Sequence, residues 1–109
     1  MDIKATRECA FNGDDDQKVQ TLKYQEGEML STFLRLKVAD YLPYTNGLTV
    51  WTVYMGSNED QPTSERENDA KKVAFIHKIE NRCSKVEIRG GDKAVSSFGV
   101  NELYCAIHR

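Results

Sequence analysis

The segment from Leu48 to Met55 restricts the possible folds more than any other part of the chain. Successive side chains of a strand point to opposite faces, and here both faces are apolar. One face would carry Leu48, Val50 and Tyr54, and the other Trp51, Val53 and Met55. A strand that is apolar on both sides needs cover on both sides. We therefore predict that this segment is a central strand of a sheet.

Most other apolar runs also alternate with a period of two, and turn signals separate them. Tyr44–Gly47 precedes the central strand, and Gly90 and Gly91 interrupt the chain further on. Further strands are predicted near residues 18–24, 73–79, 85–89, 95–100 and 103–108. This spacing predicts a mainly β domain, a small antiparallel β-sandwich or open barrel of six or seven strands.

Two segments also fit helices, which gives an alternative α+β fold with helices near 28–41 and 64–80. With a period of 3.6, the residues that share a face of the first segment are Leu30, Phe33, Leu34, Val38 and Tyr41. With a period of two, Leu34, Leu36 and Val38 would align instead. Ser64 and Glu67 have the capping-box spacing that begins a helix. In either fold, residues 1–109 fit one domain, with residues 1–16 as a polar lead-in.

The cysteines and the apolar segments indicate the cellular compartment. Cys9, Cys83 and Cys105 are odd in number and widely spaced, unlike the cysteines of secreted disulfide-bonded domains. The first residues contain no apolar stretch typical of a secretion signal. No apolar run is long enough to cross a membrane. We expect a cytoplasmic protein with reduced, dispensable cysteines and no membrane partner.

No residue pattern is typical of a metal or cofactor site. Asp14–Asp16 lacks the ligand spacing of a calcium loop. Cys105 and His108 would point to opposite faces of a strand and could not share a metal ion. Gly90-Gly91 lacks the Lys-Ser/Thr pair of a phosphate-binding loop. We expect neither a metal nor a cofactor.

His77 is the residue on which an enzymatic function would depend. It lies between Phe75 and Ile79, on what we interpret as the inner face of a predicted strand. No local signature of a nucleophile surrounds any serine or cysteine. A histidine in such a place usually packs in the core or at its rim, so a small hydrolase-like enzyme using His77 is the third of three hypotheses.

Basic residues are concentrated in the last third of the chain. Between Lys71 and Arg109, eight basic side chains outnumber four acidic ones, although the whole chain has a net charge of −2. A nucleic-acid-binding β-domain would use Lys78, Arg82, Lys85, Arg89 and Lys93. The acidic total and the position of Glu87 between Lys85 and Arg89 argue against this second hypothesis.

Aromatic residues cluster around the predicted central strand. Tyr and Trp often anchor protein interfaces, which makes Tyr41, Tyr44, Trp51 and Tyr54 candidate partner-binding residues, although aromatics also fill cores. With no catalytic signature, our first hypothesis is a non-enzymatic protein-binding or assembly module. It would be an accessory, inhibitory or structural subunit that binds another protein or copies of itself. We expect the contact at an exposed strand edge or at the Tyr44–Gly47 turn, rather than in the charged loop from Ser57 to Lys72.

Overall fold

The computed structural model describes residues 1–8, 19–56 and 71–108. Its strands are β1 Asp2–Arg7, β2 Val19–Lys23, β3 Leu48–Met55, β4 Lys72–Ile79, β5 Arg82–Ile88 and β6 Glu102–Ile107. Between β2 and β3 the chain forms one continuous helical segment, here called the helix. It consists of an α-helical turn at Leu30–Phe33, a π-helical turn at Leu34–Val38 and an α-helical turn at Ala39–Tyr41. A short 3₁₀-helix at Val95–Phe98 precedes β6.

The six strands form one sheet in the order β2-β1-β6-β3-β4-β5. All neighbours are antiparallel except β1 and β6, which run parallel. Strand outweighs helix among the described residues, at about 50% against 20%. The prediction of a mainly β domain is confirmed. So is the central position of Leu48–Met55, because β3 pairs with β4 on one side and with β6 on the other.

The sheet is open and mixed, and in the described part of the chain a helix rather than a second sheet packs against it. The helix lies where the α+β alternative predicted one, near 28–41. The second helix of that alternative is wrong over residues 72–79, which form β4, and residues 64–70 lie outside the described part of the chain. The alternation of apolar residues in Val73–Ile79 therefore predicted this segment better than the helix-capping pair of Ser64 and Glu67 did.

Burial along the helix follows the helical period. Phe33, Leu34 and Val38 are fully buried, whereas Leu36 is 63% exposed, so the strand interpretation of this segment is wrong. In a regular α-helix, residues spaced four apart do not stay on one face, because each turn takes 3.6 residues. The segment Leu34–Val38 forms a wider π turn, in which the Ala39 N–H donates to the Leu34 carbonyl five residues earlier. Because this turn takes more residues, side chains four apart stay closer to one face. It allows Leu30, Leu34, Val38 and Leu42 all to be buried.

The helix covers one face of the sheet, the helix face, and the core lies between them. Alternate residues of β1, β3, β4 and β6 supply its floor, including Ile3, Trp51, Val53, Ile76 and Leu103. All five side chains are at most 1% exposed. Burial at this density of large apolar side chains is the main stabilising term for a domain of this size.

A buried lysine fixes the end of the helix to the sheet. Lys78 of β4 is 1% exposed, and its Nζ donates hydrogen bonds to the carbonyls of Ala39 at 2.8 Å and Leu42 at 2.9 Å. These carbonyls belong to the last turn of the helix, which has no intrahelical donors for them. Burial lowers the pKa of Lys78, while the nearby Asp40 carboxylate opposes that shift.

Replacing Lys78 with methionine is expected to reduce the free energy of unfolding by about 1–3 kcal/mol, because the helix-end carbonyls lose their donor. Urea denaturation followed by circular dichroism measures the effect. Lys85→Met is the control, since Lys85 is an exposed lysine on the adjacent strand, and we expect a change within about 0.5 kcal/mol. Equal stability of the two variants would contradict this role for Lys78.

Candidate functional site

The sheet has a second face that points away from the helix, here called the opposite face. Strand registers assign to it the other alternate residues of β3, β4 and β6. Among them are Leu48, Val50, Thr52, Tyr54, Phe75, His77, Ile79, Tyr104 and Ala106, with His108 immediately beyond β6. Five of these ten residues are aromatic or histidine, so the opposite face combines apolar and aromatic character with hydrogen-bonding groups.

Ring contacts connect the strands across this face. Tyr54 and Tyr104 face each other with ring centroids 6.2 Å apart. Phe75 and His108 make an edge-to-face contact at 5.4 Å. The Lys72 ammonium lies 5.9 Å from the centre of the Phe75 ring, within cation–π range. Tyr54 is buried and Phe75 is half-buried, so the rings form a surface that is only partly accessible.

One end of the opposite face is strongly apolar. Leu48 and Ile79 are directly opposite each other in the β3–β4 pair, and they are 61% and 47% exposed. We call these two residues the apolar corner. A hydrogen bond of 3.0 Å from the Glu80 N–H to the Gly47 carbonyl closes the strand ends beside it. Gly47 has a φ of 70°, which explains why the turn signal of the sequence falls at this position.

His77 lies on the opposite face, so its assignment to the inner face is wrong: Ala74, Ile76 and Lys78 point to the helix instead. Its Nε2 is 3.1 Å from a Glu87 carboxylate oxygen, and Lys85 binds the other oxygen at 2.9 Å. Hydrogen bonds from Lys85 and His77 lower the pKa of Glu87.

A hydrolase would need a nucleophilic side chain within hydrogen-bond distance of the His77 imidazole. Ser84 is on the adjacent strand, but its hydroxyl donates to the main-chain carbonyl of His77 at 3.2 Å. Cys83 pairs with Lys78 in the strand register and packs at the edge of the core. The histidine and carboxylate therefore form a hydrogen-bonded cluster on β4 and β5, and neither Ser84 nor Cys83 completes it as a catalytic dyad.

The four predicted partner-binding aromatics do not form one surface. Trp51 is fully buried on the helix face, and its indole N–H has no hydrogen-bond acceptor among the described residues. Tyr41 is buried at the end of the helix, where its hydroxyl donates to the Ala5 carbonyl at 3.3 Å. Tyr54 is buried on the opposite face. Tyr44, which is 53% exposed and lies in the connection to β3, is the member that remains accessible.

Sequence reasoning missed the apolar corner and the ring contacts of Phe75 and His108. The alternation of β3 did place Leu48, Val50 and Tyr54 on one face, which was the available signal. The partner of Leu48 on β4 could be found only once the register was known, because the length of the intervening segment does not fix a register.

The predicted basic set divides between the two sides of the sheet. Lys78 is buried against the helix end and is not available to a ligand. The other members, Arg82, Lys85, Arg89 and Lys93, are exposed on or after β5. Lys85 is bound to Glu87. The acidic residue therefore interrupts the positive charge, as its position in the sequence suggested.

No metal centre is found within residues 1–8, 19–56 and 71–108, where no three His, Cys, Asp or Glu side chains lie close enough to hold an ion. Cys105 is buried on the helix face and His108 is exposed, which agrees with the predicted opposite directions. Cys9, Asp14–Asp16 and most of the charged loop, residues 57–70, lie outside the described residues.

A concave surface of about 440 Å³ lies beside the start of the helix. Its lining residues are Gln25, Glu26, Gly27, Glu28, Thr32, Leu36 and Lys37. Glu28 and Lys37 form an ion pair of 2.9 Å there, and hydrogen bonds from Lys37 and the Gln25 main chain outweigh burial in lowering the pKa of Glu28. These charged groups already satisfy each other.

Comparisons with known proteins give no assignment: no family model, no curated protein and no solved structure matches the chain. Among the helices of the described residues, none is long and apolar enough to span a membrane.

The environments of two cysteines predict different reactivity. Complete burial raises the pKa of the Cys105 thiol to about 12, whereas Cys83 is only half-buried. Because the thiolate is the nucleophile, iodoacetamide at mildly alkaline pH should modify Cys83 in the folded protein and spare Cys105. Peptide mass spectrometry measures this, and modification of Cys105 in denaturant is the control. Labelling of both at equal rates in the folded state would contradict the burial.

Proposed function

We propose that the protein is a non-enzymatic protein-binding or assembly module that binds another protein through the opposite face of its sheet. The observation that supports this most directly is the apolar corner, where Leu48 and Ile79 are side by side and about half or more exposed. Burying a large aliphatic side chain stabilises a complex by about 1.5–3 kcal/mol.

The surroundings of the corner suit a protein partner. The half-buried aromatic rings of Phe75 and Tyr104 continue the same face, and aromatic residues are enriched in interface cores. Tyr44 lies in the connection that leads into Leu48 and would add an accessible anchor. The polar groups at the margin, His77 with Glu87 and Lys85, resemble the polar rim of an interface. We infer a folded partner that presents apolar side chains.

A cytoplasmic location belongs to the same proposal. Among the described residues Cys83 and Cys105 are both free thiols, which is typical of proteins of reducing compartments.

Ile79→Glu should abolish partner binding without unfolding the protein, because Ile79 is exposed and a buried carboxylate at an apolar contact is unfavourable. A photo-crosslinking residue at position 48 should capture one protein in source cells. Ile79→Glu in the same chain should eliminate that product, and native mass spectrometry of the purified complex should give a fixed stoichiometry.

Leu36→Glu is the matched control, since Leu36 is also an exposed aliphatic residue but lies on the helix, away from the opposite face. It should leave the crosslink intact. If Ile79→Glu preserves the crosslink, or if Leu36→Glu removes it equally, the opposite face is not the binding surface.

A nucleic-acid-binding β-domain is the second candidate, and the cation–π contact of Lys72 with Phe75 favours it. Single-strand binders place bases on such rings beside basic groups, and each stacked base contributes about 1–3 kcal/mol. Phe75→Ala should then weaken binding to a generic single-stranded oligonucleotide, measured by fluorescence anisotropy. The affinity of the wild type should also fall steeply with salt. An absence of binding at low salt would exclude this candidate.

A further inference from the structure

The two outer strands of the sheet, β2 and β5, differ in how they are protected against pairing. Edge strands are commonly protected by charged side chains, since their outward backbone groups can pair with another strand. Arg82, Lys85 and Glu87 lie within β5. Lys23 is the charged residue of β2, it lies at the end of the strand, and it is bound to Asp2 at 3.3 Å. The middle of β2 carries no charge.

Hydrogen bonds at the end of β2 determine which backbone groups point outward. The Tyr24 N–H donates to the Met1 carbonyl at 2.9 Å, and the Met1 ammonium donates to the Tyr24 carbonyl at 2.8 Å. Hydrogen-bonded and non-hydrogen-bonded pairs alternate along an antiparallel ladder. Leu22 and Gln20, two and four residues before Tyr24, must therefore direct their backbone groups to β1.

The backbone groups of Val19, Thr21 and Lys23 must then point away from β1. The neighbouring strand supports this phase: Lys4, opposite Thr21, donates its N–H to the Asn101 carbonyl at 2.8 Å, on the side away from β2. Within the described residues, β1 is the strand that pairs with β2. The outward groups of Val19, Thr21 and Lys23 therefore form a row that suits a further antiparallel strand.

We propose that this strand is β2 of a second copy of the chain, paired antiparallel about a two-fold axis at Thr21. In this register Thr21 lies opposite its own copy, and Val19 lies opposite Lys23 of the other copy. Gln20 then faces Leu22 across the interface. Threonine pairs are favourable across strands, and no like charges are placed opposite each other. Each of the three outward-facing pairs can exchange two hydrogen bonds.

This pairing has a consequence for the shape of the assembly. A two-fold axis through adjacent antiparallel edge strands runs perpendicular to the sheet. The opposite faces of both copies therefore lie on the same side of one continuous sheet. The inference does not depend on the proposed function, because it follows from the β2 edge alone.

Sedimentation velocity of the full chain tests the proposal over low to high micromolar concentrations. The mass should rise from 12.4 kDa towards twice that value. Thr21→Lys should remain at the mass of a single chain, since it places two ammonium groups opposite each other at the axis. Thr21 is exposed, so this variant should keep the wild-type circular dichroism spectrum. Ser84→Lys adds the same charge at the β5 edge and should dimerise like the wild type.

Amide hydrogen exchange gives a second, variant-free measurement. With rising concentration, the amides of Val19, Thr21 and Lys23 should become protected, while those of Gln20 and Leu22 are protected throughout. A wild-type chain that stays monomeric at the highest concentration overturns the proposal. So does a Thr21→Lys variant that associates as tightly as the wild type.

Discussion

Within residues 1–8, 19–56 and 71–108, the packing of the helix against one face of the six-stranded sheet is the contact on which the rest of the structure depends. The helix buries one face, where Trp51 and Ile76 are inaccessible to water. The position of the helix depends on hydrogen bonds between the two layers, which the Lys78 ammonium donates to carbonyls of the last helical turn. A buried cation is favourable only when such donors and acceptors are matched. The exposed side chains of Leu48 and Ile79 lie on the opposite face, at the paired ends of β3 and β4.

The alternation of apolar residues predicted which side chains share a face, but it could not predict which face receives the helix. The pattern therefore predicts the central position of β3 correctly, because β3 is apolar on both faces. It does not predict the face of His77 correctly, because that depends on where the helix packs. In β4 both alternate sets contain large apolar residues, with Ile76 in one and Phe75 in the other. Local pattern does not choose between them. Lys78 belongs to the set that faces the helix, where its ammonium donates to carbonyls at the helix end.

The aromatic residues illustrate the same limit. Tyr and Trp are enriched both in cores and at interfaces, so their type does not separate the two roles. Trp51 and Tyr41 proved to be core residues because they lie between the sheet and the helix. Leu30–Tyr41 itself could be assigned only from tertiary packing, because both periods fit its apolar residues. The exposed aliphatic pair of Leu48 and Ile79 depends on a pairing between two strands that are separated by residues 56–71.

The order of the strands adds a constraint on how this sheet can form. β6 is inserted between β1 and β3, and it joins β1 in parallel, so the centre of the sheet depends on its most distant segments. Bonds such as the one from the Thr6 hydroxyl to the Leu103 carbonyl close this long loop. Contacts between residues that lie so far apart in the sequence slow folding. Until β6 is in place, β3 is an outer strand that is apolar on both faces, and such a strand readily pairs with other chains. In the finished sheet β3 is internal, and the positions at the edges belong to β5, which is charged, and to β2, which is short.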